Sequence, residues 1–203
     1  MDIRQTDPGG LRQRLSQVLA ARPLLRGLLR ALGAGGFCFV LAGAGLLDGP
    51  VPLALAPVCV LPFSPAAICA YLGAAAGYAV FWGLSAALEP VAAGFLLLAG
   101  SCLLADLVPD EQGWLASAAA GGIYALLGVI FVLRADGGLQ AALQLILRLV
   151  LLTLSVRMLS SAPANARLRP YAAAVCLLAG LVRVQLPFGV PLAVIPAAAI
   201  CVL

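Results

Sequence analysis

Histidine and lysine are absent from the chain, and charged residues of any kind make up only 10% of its 203 positions. Without histidine the commonest general base and the commonest metal ligand are missing, and without lysine there is no Schiff-base chemistry. The few acids are scattered, no pair of carboxylates shares an obvious site, and neither a G-x-x-x-x-G-K-S/T nor a G-x-S-x-G motif occurs. Catalysis by this chain, a cofactor and a metal site are therefore not expected. Aromatic residues are scarce as well, at 6%. Tyr71, Tyr78, Phe81 and Trp82 are the one local concentration that a ligand-reading cluster would draw on.

What the chain has instead is apolar length. Hydrophobic residues reach 64%, against about 45–50% in a soluble domain, and uncharged runs cover 31–47, 49–88, 90–105, 112–133 and 184–203. A spanning helix needs about 20 residues to cross a hydrocarbon core of about 30 Å. The 40-residue run 49–88 is long enough for two crossings, broken near Pro62-Phe63-Ser64-Pro65. The expectation is an all-α, polytopic transmembrane helical bundle of seven to eight segments, at 31–47, 50–61, 66–84, 91–108, 114–133, 139–159, 171–186 and 188–203. The second is short and broken by Pro50, Pro52 and Pro57. In lipid such a segment survives only where protein takes up the backbone groups that proline leaves unbonded. All six cysteines, Cys38, Cys59, Cys69, Cys102, Cys176 and Cys201, lie inside apolar runs without a C-x-x-C; they read as small lipid-compatible side chains, not as disulfides or ligands.

Every basic residue is arginine, and Arg4, Arg12, Arg14, Arg22, Arg26 and Arg30 are offset in the first thirty positions only by Asp2 and Asp7, so this arm carries the whole net charge of +4. The chain therefore divides into a basic, partly amphipathic arm, 1–30, and a transmembrane region, 31–203. The positive-inside rule places the arm in the cytoplasm of a multi-pass membrane protein, and a nucleic-acid partner is not expected. If segment 50–61 crosses, the arginine-bearing loop 157–169 falls on the same side as the arm; if it does not, that loop lies outside. Arg12, Arg14, Arg22, Arg26 and Arg30 are candidate contacts to anionic lipid headgroups, with a plain topogenic role as the alternative. The chain stops inside an apolar run, PLAVIPAAAICVL, which suggests a region truncated at its C-terminal end.

Two further patterns stand out. In segment 139–159, Gln140, Gln144, Arg148 and Ser155 fall within about 80° of one another at 100° per residue. Intramembrane charge is expensive, so Arg148 is expected to face the bundle interior, either paired with an acid such as Glu89 or Asp106 or lining a solute path. Gly73 and Gly77 form a G-x-x-x-G that lets helix backbones approach closely, within the chain or in self-association.

The order RGLLRALGAGGFCFVLAGAGLLDGPVPLALAPVCVLPFSPAAICAYLGAAAGY resembles the start of the N-terminal membrane region of stage II sporulation protein E. There a span ends in a short turn, a Pro-Phe-Ala-Leu-like segment follows, and a small-residue span comes next. Here Asp48, Gly49, Pro50, Pro52, Leu53, Ala54 and Leu55 hold those places. The likeness covers about residues 20 to 200. Where the family often has Gly-Arg-Ala, this chain has Ala42-Gly43-Ala44-Gly45, and the family's C-terminal manganese-dependent serine phosphatase of the PP2C type has no counterpart in it. The resemblance implies a membrane anchor and oligomerisation platform at the asymmetric septum of a sporulating Gram-positive bacterium, where the full protein activates a forespore sigma factor. Its implied partners are copies of itself and cell-division or sporulation membrane proteins. The competing expectation is a small-solute transport component, similar to the substrate-binding subunits of energy-coupling-factor transporters.

Overall fold

The structure, a computed structural model, describes residues 23–46, 49–104, 114–134, 138–160 and 169–182. In chain order the elements are α1 (Pro23–Leu41), a two-strand hairpin of β1 (Gly45–Leu46) and β2 (Gly49–Pro50), a 3-10 turn (Pro52–Ala54), α2 (Leu55–Val60), α3 (Pro65–Leu104), α4 (Trp114–Arg134), α5 (Leu139–Leu159) and α6 (Arg169–Leu181). The strands pair antiparallel, Gly45 opposite Pro50 and Leu46 opposite Gly49. Four helices are long and apolar enough to cross a membrane, over Leu24–Leu41, Pro65–Cys102, Leu115–Arg134 and Leu139–Leu159. A buried core that includes Leu41, Leu55, Val58, Tyr78, Leu97, Tyr124, Leu152 and Val156 draws on α1, α2, α3, α4 and α5.

The forty residues of α3 do not form one rod. A straight helix would place residues 20 apart about 30 Å from each other. Instead the Tyr71 hydroxyl lies 3.4 Å from the carbonyl oxygen of Val91, and the rings of Tyr71 and Phe95 are 6.4 Å apart. The chain reverses at Gly83, whose φ of 80° and ψ of 163° interrupt the helix. That region of backbone space is essentially reserved for glycine. Two antiparallel arms result, 65–82 and 84–104, each about as long as a hydrocarbon core is thick. Open space surrounds the position a Cβ would take at Gly83, so Gly83→Ala isolates the backbone term. It is expected to lower stability by about 1–3 kcal/mol, measured by denaturant unfolding in mixed micelles. An unchanged stability would show that the turn tolerates another conformation.

The first arm of α3 runs parallel to α1. A Cβ on Gly73 would overlap the carbonyl oxygen of Gly35, and one on Gly77 would lie 2.6 Å from that of Phe39. Further along, the rings of Phe39 and Phe81 are 5.3 Å apart, and the Trp82 indole donates to the Ala42 carbonyl at 2.9 Å. Both helices advance together through these contacts, so the connection 42–64 must return along the bundle from the end of α1 to the start of α3. Contacts along the connection follow that return: Val51 meets Tyr78, and four residues on Leu55 lies beside Gly94, next to Tyr71.

Each proline of this strap sits where a missing N–H is tolerated. Pro50 lies in a two-residue strand, Pro52 opens the 3-10 turn, Pro57 lies in the first turn of α2, and Pro65 opens α3. Pro62 follows Leu61, which is extended at φ −72° and ψ 132°, as the residue before a proline prefers to be.

Antiparallel packing of α4 on α5 follows from small residues and a hydroxyl. Ser117 donates to the Thr153 carbonyl at 3.1 Å, Gly121 faces Thr153, and Gly128 faces Leu145. At the other end of the chain, Gly180 of α6 packs on Val40 and Leu41 at the end of α1.

The expected count of seven to eight spans is not reached by the described helices. Segment 50–61 is a 3-10 turn and a six-residue helix, and segments 66–84 and 91–108 are the two arms of α3. The first arm ends within a residue of the expected limit at 84, at Gly83, and the second begins earlier than the expected 91, so that Pro90 falls inside it. Segment 171–186 begins with α6, 13 residues over Arg169–Leu181, and its last four residues lie outside the described ones. Segment 188–203 lies outside the described residues. The first helix also begins earlier than expected, at Pro23, and takes Arg26 and Arg30 into its first turns.

Candidate functional site: an ion pair and two aromatic hydroxyl and indole donors around the broken strap

Arg148 is the tenth residue of the 21-residue helix α5, near its middle. Its guanidinium Nη1 lies 3.6 Å from Oε2 of Glu89, and the two side chains are 15% and 17% exposed. Glu89 comes six residues after the Gly83 reversal, one before Pro90, so the second arm of α3 brings it to the same level. Among the described residues Glu89 is the one acid. Tyr124, at the middle of α4, is fully buried, and its hydroxyl interacts with both members of the pair. On its other side the guanidinium rests on the backbone of the strap: a Cβ on Gly49 would overlap its Nη2 atom. The cluster therefore joins α3, α4, α5 and the β2 strand.

The first arm of α3 completes the attachment. Tyr78 and Trp82 are four residues apart, on one helical face. The Tyr78 hydroxyl donates to the carbonyl of Val51 at 2.9 Å, and the backbone of Ala54 bonds to the same side chain. Trp82 donates to Ala42, where α1 ends. Side chains thus take up backbone groups at the points where helix and strand geometry lapse, which is what irregular backbone at membrane depth requires.

The positions singled out in the sequence separate in space. Arg148 and Ser155 turn inward, Ser155 buried and donating to Leu151 of its own helix. Gln140 is exposed in the first turn of α5, and Gln144 is half-buried. The four do not make one continuous polar face within the core. Gly73 and Gly77 are both pressed against α1, within the chain. Arg26 and Arg30 are exposed on α1. Arg12, Arg14 and Arg22 lie outside the described residues, as does Asp106. The residues that the sequence did not mark are Gly49, Tyr124 and the bonding roles of Tyr78 and Trp82. For Tyr78 and Trp82 the advance signal is the aromatic concentration of Tyr71, Tyr78, Phe81 and Trp82, in which the two stand at i, i+4; Gly49 and Tyr124 have no such signal.

Chemically, the arrangement neutralises and holds. The carboxylate is engaged by a guanidinium and a phenol, and the guanidinium by that carboxylate and a backbone face. Such mutual engagement is the usual condition for charge inside a membrane bundle. No family model, no curated protein and no solved structure matches the chain.

Proposed function

We propose that this chain is a multi-pass anchoring and assembly region of a bacterial cytoplasmic membrane, of the kind that its likeness to stage II sporulation protein E implies. Its N-terminal arm lies in the cytoplasm and its partners are further copies of itself or membrane proteins of the division septum. The observation that carries the reading is the self-sufficiency of the polar cluster. Glu89 and Tyr124 engage Arg148, and Tyr78 and Trp82 bond the strap, so these groups serve to fix the bundle's shape. A rigid bundle is what an anchor needs.

Grafting this chain in place of the membrane region of a stage II sporulation protein E tests the proposal. Septal localisation of the graft, with cross-linking into oligomers, is the expected result. An even distribution over the membrane as a monomer would contradict it.

A second reading, a small-solute-binding component similar to an energy-coupling-factor subunit, is favoured by one observation. A proline-broken segment meets an intramembrane arginine, and broken segments of that kind line solute sites in transporters. It would be supported by a thermal shift of the purified chain on adding a water-soluble vitamin, lost in Arg148→Leu with the fold retained.

A further inference from the structure

The beginning of α1 differs from every other part of the bundle. From Leu24 to Arg30 each residue is exposed, and the first buried position is Ala31. These two turns carry Leu24, Leu25, Leu28 and Leu29, at 89%, 38%, 56% and 51% exposure, together with Arg26 and Arg30. At 100° per residue the four leucines share an arc of about 140°, and the two arginines sit together about 60–100° beyond its edge. No acidic side chain answers them among the described residues, since Glu89 is engaged deep in the bundle with Arg148. The arc of leucines needs an apolar cover, and the adjacent arc of arginines needs anions.

We propose that this projecting start of α1 is a docking surface for anionic phospholipid. Acyl chains cover Leu24, Leu25, Leu28 and Leu29, and the phosphates of the same leaflet are held by Arg26 and Arg30. A second copy of the chain would cover the leucine arc but would bring two more arginines to a surface that already has two. Charge therefore selects lipid, and the arrangement of an apolar stripe beside a basic one is that of an interfacial helix. Adjacent helical turns set the two side chains about 5–6 Å apart at their Cβ atoms, near enough for neighbouring phosphates. The inference rests on the membrane reading of the chain and adds a lipid class and a site to it.

The test uses the whole chain reconstituted in phosphatidylcholine bilayers with spin-labelled phosphatidylglycerol or spin-labelled phosphatidylcholine as probe. The native chain is expected to hold the anionic probe about thirtyfold more strongly at low salt, which is what two interfacial arginines supply. Arg26→Gln with Arg30→Gln should bring the ratio close to one, and Arg26→Lys with Arg30→Lys should keep it. Replacing Arg12, Arg14 and Arg22 by glutamine should leave most of it in place. A preference that survives the Arg26 and Arg30 replacement and disappears with the Arg12, Arg14 and Arg22 replacement would overturn the site. So would efficient cross-linking of Leu28→Cys between copies, with no lipid preference, because a second chain would then occupy the surface. Failure of the native chain to enter bilayers at all would count against the membrane reading itself.

Discussion

Replacing Arg148 with leucine is expected to destabilise the bundle by about 3–5 kcal/mol, and replacing Glu89 with leucine by a comparable amount, whereas the double replacement recovers most of the loss. Each single change leaves one charge largely buried, with its partner gone. For an arginine near the centre of a spanning helix the uncompensated cost is at least about 2.5–3.5 kcal/mol. The double change removes both charges and puts apolar groups of similar volume in their place, which interiors often accept without loss. Tyr124 interacts with both charges, so Tyr124→Phe should cost less, about 1.5–3 kcal/mol, as a lost hydrogen bond to a charged group does. Unfolding in mixed micelles, read as a double-mutant cycle, measures all of these. Single losses that simply add in the double variant would mean that the two side chains do not act as a pair, and the strap would need another explanation.

The second large effect is expected at Gly73. Alanine there would place its Cβ against the backbone oxygen of Gly35, an atom that moves only if α1 moves. Overpacking against flexible side chains typically costs about 1–3 kcal/mol; against the backbone of a neighbouring helix the upper part of that range is expected. Gly33 provides the contrast within the same pair of helices. It is exposed, and no atom lies within 4 Å of its Cβ position. Gly33→Ala should therefore be neutral or stabilising by up to about 1 kcal/mol, from reduced backbone entropy of the unfolded chain. Opposite signs at two glycines of similar sequence surroundings would place the helix contact directly. Equal effects would show that α1 and α3 are not packed at Gly73.

Hydropathy and charge made part of this fold legible. The segments expected at 114–133 and 139–159 agree with α4 and α5 to within a residue or so, because the first is an uninterrupted uncharged run and the second stays apolar enough to span despite Arg148 and its two glutamines. The break near Pro62-Phe63-Ser64-Pro65 was legible for the same reason that it exists: two prolines and a serine leave no continuous helix ladder. Charge misled at α1. Arg26 and Arg30 marked the arm as separate, yet an arginine on an exposed helical turn reaches outward along its aliphatic stem and does not end the helix. The reversal falls within a residue of the expected end of segment 66–84, but its agent was hidden, since one glycine among 22 does not announce a positive φ. Polarity on one face of α5 was visible, but the depth of each residue was not, and so Gln140 ended exposed while Arg148 turned inward. Tyr78 and Trp82 were unreadable as bonding residues because their acceptors, Val51 and Ala42, lie 27 and 40 positions away in the chain.

The central claim is that strap 42–64 returns through the membrane, so that α1 and the first arm of α3 cross in the same direction. Phe63, exposed just before α3, and Ser85, exposed just after the Gly83 reversal, then lie at opposite ends of that arm. Single-cysteine variants Phe63→Cys and Ser85→Cys, in a background lacking the six native cysteines, measure this with a membrane-impermeant thiol reagent. Thr6→Cys and Asn165→Cys report the arm and the loop 157–169. In intact cells Ser85→Cys should react, and Phe63→Cys, Thr6→Cys and Asn165→Cys should react only after lysis. Reaction of Phe63→Cys before lysis, with Thr6→Cys still protected, would place the start of α3 on the far side from the arm and would contradict the return crossing.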